Sequence, residues 1–211
     1  MIYIDIETGP SPHAANYAPE FRAPKNIKDP VKIAAAIEEA KTEWESRHAL
    51  SAVTGEVLAV GLAFGSEAPV SLLRSTTERD LLLAAWSLIQ DRAREIMVPR
   101  LCGWNICGFD LPFLRRRSWI LGVTPPEWIY PADNRNLAWT HRDLMLIWSH
   151  NNPQERLSLK MAAKLFNLGD KLGSGADFAE LLKTDPLAAE AYLRRDVELV
   201  QALAKRMEVA K

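Results

Sequence analysis

The first eight residues read MIYIDIET. Ile2, Ile4 and Ile6 alternate with Tyr3, Asp5 and Glu7, which predicts a strand. Successive side chains on a strand point to opposite faces, so Asp5 and Glu7 share one face. Two adjacent carboxylates repel, and a hard divalent cation with oxygen ligands relieves that repulsion. A strand ending in solvent with the acids as its polar rim is the plainer alternative. Another acid, Asp110, lies in LCGWNICGFDLPFL, residues 101–114, where a strand is expected to end at Trp104 before a turn at Asn105 and a helix. Taken alone, Asp110 is equally a helix N-cap and Asn105 a turn residue. The last acid sits in a predicted helix from Pro186 to about Met207. Ala189, Tyr192, Leu193, Leu199, Val200, Leu203 and Met207 form its apolar stripe, with Arg194, Arg195, Glu198, Gln201 and Lys205 opposite. Asp196 falls inside the apolar stripe, one turn after Tyr192 and on the same face. Burying a carboxylate without a partner is costly, so Asp196 needs a metal or a cation. A core Asp satisfied by an Arg or by backbone donors is the alternative.

Asp5, Glu7, Asp110 and Asp196 offer only oxygen. That donor set suits two Mg²⁺ or Mn²⁺ ions and not zinc, which prefers His and Cys. Two such ions roughly 3.5–4 Å apart form a clamp for in-line displacement at phosphorus.

These residues need a sheet edge and helices to bring them together. Gly9-Pro10-Ser11-Pro12 breaks the first strand, and residues 13–28 read as a surface excursion. Asp29 and Pro30 open a helix expected over 30–50, with Ile33, Ile37, Ala40 and Trp44 on one stripe. Residues 56–64 and 69–74 predict a hairpin around the 65–68 turn. Thr77 and Asp80 resemble a capping box for a helix to about Met97, and 98–104 reads as a buried strand. A helix over 109–121 ends at Gly122, and 123–141 is Pro- and Trp-rich and irregular. A short strand is expected over 141–148, helices over 158–168 and 176–183, and a Gly-rich loop from Gly169 to Gly175. The pattern predicts an α/β protein: a mixed central sheet flanked by helices, in one domain over 1–211 with a helical insertion at about 13–52.

Composition narrows the function classes. The 211 residues are 48% hydrophobic and 25% charged, ordinary for a globular protein and against disorder. A net charge of −1 excludes the global basic field of an architectural nucleic-acid binder. Cys102 and Cys107 make neither a disulfide framework nor a zinc signature, and read as buried thiols of a reducing compartment. The chain opens directly on a strand, and no apolar run approaches the roughly 18 residues of a membrane span. A cytoplasmic protein is expected.

Three segments in order resemble the DEDD 3′–5′ exonucleases, which have a ribonuclease H-like fold. DIET, Asp5 to Thr8, is similar to their first motif. WNICGFDLPFL, Trp104 to Leu114, resembles the second motif as it occurs in the proofreading domains of family B DNA polymerases. YLRRD, Tyr192 to Asp196, resembles the third motif in its tyrosine form, since the histidine form would need His where Ala191 stands. Stand-alone predicted exonucleases similar to that polymerase domain resemble the chain along nearly its whole length. The resemblance implies a metal-dependent exonuclease acting on the 3′ end of single-stranded nucleic acid, DNA first, and releasing nucleoside monophosphates. It implies that Asp5 bridges two divalent cations, Mg²⁺ or Mn²⁺. Glu7 and Asp196 would hold the one that activates water, and Asp110 the other. Tyr192 would orient the water. Thr8 would meet the 3′-terminal hydroxyl, Asn105 the nucleotide, and Phe109 the sugar or base, although a core aromatic is an equal reading of Phe109. A catalytically inactive nucleic-acid-binding protein on the same fold, or a ribonuclease H-like endonuclease, are the competing expectations.

Other residues carry less. Arg115, Arg116 and Arg117 have the charge to meet phosphates, but a solvated helix face explains at least two of them. Lys171 in GDKLGSG has the reach to meet a phosphate, though the loop lacks a Walker pattern. Asp143 reads as a strand-end acid, with a supporting place beside the site as the alternative. The seven Trp residues read as packing, with base stacking open to one exposed near the site.

Overall fold

The computed structural model describes residues 1–130 and 137–209, with the backbone alone at Trp139. Among these residues five strands form one mixed sheet in the order β3-β2-β1-β4-β5. They are β1 (Ile2–Pro10), β2 (Gly55–Phe64), β3 (Val70–Leu73), β4 (Leu101–Gly103) and β5 (Arg142–Asp143). β1, β2 and β3 are antiparallel neighbours, whereas β4 runs parallel to β1 and β5 parallel to β4. The helices are α1 (Pro30–Ser46), α2 (Glu78–Ala93), α3 (Asp110–Ile120), α4 (Leu137–Thr140), α5 (Leu144–Ser149), α6 (Leu159–Leu165), α7 (Phe178–Thr184) and α8 (Pro186–Arg206). None of the described helices is long and apolar enough to cross a membrane.

The alternation along β1 sorts the molecule into layers. Ile2, Ile4 and Ile6 enter a core with Leu82, Trp86 and Ile89 of α2 and Leu111 and Leu114 of α3. Tyr3 joins the opposite core with Leu199, Val200 and Leu203 of α8. The face of β1 that carries Asp5 and Glu7 is therefore the face that α8 covers. Gly61 of β2 lies directly across from Asp5 in the ladder. A Cβ there would stand 2.7 Å from Val197 Cγ2 and 2.9 Å from Leu193 Cγ. The missing side chain lets α8 press onto the sheet at the level of the acids.

On the other face a buried ion pair joins α2 to α3. Arg117 donates to both Glu78 oxygens, at 2.9 and 2.5 Å, and to the Ala52 carbonyl at 3.0 Å. Glu78 also accepts from Val57 N at 2.8 Å. Arg117 is thus internal, and of the three consecutive arginines it offers nothing to a phosphate.

Several elements differ from the sequence expectation. The strand expected over 98–104 shortens to Leu101–Gly103, because Pro99 lacks the N–H that a ladder needs. The helix expected to reach Met97 stops at Ala93. The strand expected over 141–148 has only two residues, and LMLIWS is helix α5. Short apolar runs do not distinguish the two, and here Asp143 decides by capping the helix through Met145 N and Leu146 N. The helix expected over 30–50 ends at Ser46, followed by a 3-10 turn over His48–Leu50. Asp29 caps it as expected, but no residue of α1 is buried, so its stripe is only partly covered. The helix expected over 176–183 splits into a 3-10 turn at Gly175–Asp177 and α7. Part of the irregular stretch expected over 123–141, residues 131–136, lies outside the described residues.

Gly61→Ala is expected to lower stability by about 1–3 kcal/mol through overpacking against Val197 and Leu193. A urea unfolding curve measures this, and an unchanged midpoint would show that α8 does not press on β2 as described.

Candidate active site

The site forms where β1 and β4 part. They pair only at Ile2–Leu101 and Tyr3–Cys102. Beyond that point Ile6 N has no strand partner there and donates to Asp110 Oδ1 at 3.1 Å. The crevice at the carboxyl ends of parallel strands is the usual place for a ligand in an open α/β sheet. A bulge between Glu7 and Thr8 in the β1–β2 ladder lies beside it.

Asp110 is not an N-cap. It is the first residue of α3, and Phe109 at the cap position makes no side-chain bond to the helix. Its buried carboxylate reaches back to β1 and fixes the start of α3 against the strand.

α8 supplies the opposite wall. Asp5, Glu7 and Asp196 each place a carboxylate oxygen within 4.8 Å of the others. Asp196 is fully buried, Glu7 is buried and Asp5 is half-buried. Asp110 stands outside this trio but within its electric field. Burial pushes Asp5 well above the usual carboxylate range, and Asp110, Glu7 and Asp196 push it further. Burial raises Glu7 to about 8 against the opposing pull of Lys171, with Asp196 and Asp110 adding to the rise. Asp110 is raised to about 7 by burial, against the backbone donors that stabilise its charge. Asp196 is raised by burial despite the ammonium beside it. Burial and then Glu7 and Asp196 push the Tyr192 phenol upward, so it remains protonated.

The donor set fits a hard divalent cation. Three carboxylates converge, and the Tyr192 hydroxyl and Asp196 Oδ1 are buried without a hydrogen-bond partner. Among the described residues the cation in contact with Asp196 is an ammonium: Lys171 Nζ lies 2.6 Å from Oδ2. The alternative of an Asp satisfied by a cationic side chain is thus partly met, though by Lys171 and not by an Arg.

The remaining expected residues are less alike in placement. Thr8 is buried beside Glu7, and its hydroxyl donates to the Ala49 carbonyl at 2.6 Å. Asn105 adopts a left-handed backbone, φ +63°, which Asn tolerates better than most residues. Phe109 is half-buried and packs on Phe113, ring centroids 5.5 Å apart, as the core reading would have it. Trp119 is exposed, but it lies on α3 with Arg115 over its ring at 4.7 Å.

Three contributions were undervalued by sequence reasoning. Asp143 accepts from Asn105 N at 3.1 Å and Cys107 N at 2.9 Å while capping α5, so it holds the turn that leads to Asp110. Lys171 enters the acid cluster itself. Arg195, expected among solvent-facing charges, donates to the Leu168 carbonyl at 2.7 Å and the Asp170 carbonyl at 3.3 Å, fixing the root of the Gly-rich loop. The clue available in the sequence was the glycine spacing of GDKLGSG, which permits close backbone approach.

The family described as a predicted 3′–5′ exonuclease related to the exonuclease domain of PolB matches residues 62–201. The chain belongs to that family. The matched span contains Asn105, Asp110, Lys171, Tyr192 and Asp196, and Asp5 and Glu7 precede it. A 54-residue stretch is 43% identical to the DNA polymerase delta catalytic subunit of Arabidopsis thaliana, covering 26% of this chain and 5% of that protein. The fold resembles the family B DNA polymerase from the hyperthermophilic archaeon Pyrobaculum calidifontis, with a TM-score of 0.60 and 16% identity. That match covers 98% of this chain and 24% of the polymerase, so the chain spans about a quarter of that protein's length. The likeness establishes the ribonuclease H-like fold.

The raised carboxyl groups make the site's behaviour pH-dependent. The folded protein binds protons at Glu7 and Asp110 that an unfolded chain, with carboxyl pKa values of about 4, releases. Their contribution to stability therefore falls as pH rises from about 4 to about 8. A divalent cation needs the deprotonated forms, so Mg²⁺ is expected to raise the unfolding midpoint at pH 8.5 and not at pH 5. Urea titrations at both pH values, with and without Mg²⁺, measure this. An equal Mg²⁺ effect at both would contradict the assignment.

Proposed function

We propose that this protein hydrolyses phosphodiester bonds from the 3′ end of single-stranded nucleic acid, DNA in the first instance, and releases nucleoside monophosphates. Residues 1–211 act as one domain in this reading, with 13–52 as an insertion. The observation that carries it is the convergence of Asp5, Glu7 and Asp196 from β1 and α8, with Tyr192 close enough to Glu7 and Asp196 to feel their charge.

Asp5, Glu7 and Asp196 would hold one divalent cation, and Asp5 with Asp110 a second, Mg²⁺ or Mn²⁺. Bound there, such ions neutralise developing charge on the phosphoryl oxygens and acidify water. The protein's own groups do the rest. Tyr192, kept protonated by burial and by the acids beside it, donates its hydroxyl to orient the attacking water and does not remove the proton alone. Asp143 keeps the Asn105 turn in place for the nucleotide. Phe109 offers its half-buried ring to the terminal sugar or base. The Thr8 hydroxyl is engaged by Ala49, which leaves its backbone to face the 3′ terminus.

The test is digestion of single-stranded oligonucleotides labelled at either end. A 5′-labelled DNA strand should give a descending ladder with Mg²⁺ or Mn²⁺ and none with EDTA. A 3′-labelled strand should release a labelled mononucleotide first. Internal cuts would establish an endonuclease, and binding without hydrolysis an inactive accessory protein.

Tyr192→Phe keeps the ring and deletes the hydroxyl. It is expected to lower kcat on the order of 10- to 1000-fold with little change in KM. Asp5→Ala should cost more, because Asp5 is assigned to both cation positions. A Tyr192→Phe enzyme as fast as the parent would remove the orienting role.

A further inference from the structure

The Gly-rich loop after α6 lies across the acid cluster. Its root is held by Arg195, the residue next to Asp196. A Cβ on Gly173 would lie 3.4 Å from the Tyr192 ring, and one on Gly175 would lie 3.2 Å from Glu7 Oε2. The loop backbone therefore lies against both groups, while Leu172 at its tip is exposed. From this loop Lys171 sends its ammonium inward to Asp196 Oδ2 at 2.6 Å, with Nζ 4.9 Å from the Tyr192 ring centroid. Its side chain is only 18% exposed.

An ammonium and a divalent cation drawn to the same small carboxylate compete for it. They share its lone pairs, and like charges a few ångströms apart repel strongly where water is excluded. We propose that Lys171 and the divalent cation exchange at Asp196, so that the loop over 169–175 is a strap released by metal loading. Before loading, Lys171 offsets part of the repulsion among the acids and the strap covers Glu7 and Tyr192. On loading, the cation takes over that neutralisation, Lys171 leaves, and the strap it tethers comes away from the crevice that the 3′ end must enter. Opening of the site and filling of the site become one event. This inference rests on the metal site of the proposed function.

Lysine acetylation by N-hydroxysuccinimidyl acetate reads the exchange without any nucleic acid. The full chain is labelled with and without saturating Mn²⁺, and each lysine is quantified by mass spectrometry. Lys171 is expected to react several-fold faster with Mn²⁺, while exposed Lys183 stays constant. Lys171→Met, shown to be folded by circular dichroism, is expected to bind Mn²⁺ about 10-fold more tightly. Arg194→Met removes the same charge from α8 at a site paired outward with Glu190, and should shift affinity by no more than about twofold. If Mn²⁺ binds the parent but Lys171 reactivity is unchanged, the exchange is wrong and the metal site stands. Equal Mn²⁺ affinity of Lys171→Met and the parent overturns it in the same way. If neither protein binds Mn²⁺, both the exchange and the metal site fall.

Discussion

Repulsion among carboxylates gathered in a dry crevice is the constraint on which the rest of this structure depends. Asp5, Glu7 and Asp196 lie close enough to share one cation, and Asp110 adds its field from the side. Such a cluster opposes folding unless something positive occupies it. The architecture around it makes the cluster unavoidable. Gly61 lets α8 close on the sheet opposite Asp5, and the early parting of β1 and β4 leaves Ile6 N for Asp110 to accept. Lys171 then meets part of the electrostatic demand from a loop whose residues 172–174 are exposed. Stability elsewhere, in the two cores and the Arg117–Glu78 pair, holds this strained arrangement together.

Much of the fold and of the site was legible in the sequence, because its signals are periodic. Strict alternation placed Asp5 and Glu7 on one face of β1, and the 3.6-residue period placed Asp196 among apolar neighbours on α8. Both placements agree with the structure. Signals that are not periodic were misread. LMLIWS is apolar throughout and reads as strand, but Asp143, held by Asn105 and Cys107, 38 and 36 residues earlier, caps a helix there. Asp110 satisfies the pattern of an N-cap, yet its partner is a backbone N–H 104 residues away. Lys171 reads as an ordinary loop lysine until α8 is in place. Each of these depends on long-range contact, which local pattern does not encode.

The site is assembled from four pieces of chain that lie far apart in sequence, and each has its own mechanical support. Hydrogen-bonded strands on both sides hold the start of β1. Asp143 grips the Asn105 turn, and the length of α8 carries Tyr192 and Asp196 on one rigid face. The 169–175 loop is held at its root by two guanidinium contacts of Arg195 and reaches the acids through the Lys171 ammonium. The sheet and α8 fix the geometry of the acids, and the strap proposed above is the one of these pieces asked to move.

The two ends of the 13–52 segment meet where Ser11 N donates to the Thr54 carbonyl at 2.8 Å, just beyond the Pro10–Gly55 pair of the β1–β2 ladder. In topological terms the segment is an overgrown hairpin loop. Its attachments described here come from its last residues: Ala49 receives Thr8 and Ala52 receives Arg117. Lengthening such a loop adds closure entropy only slowly. The outer part of this segment, including all of α1, is therefore mechanically separate from the strand that carries the acids.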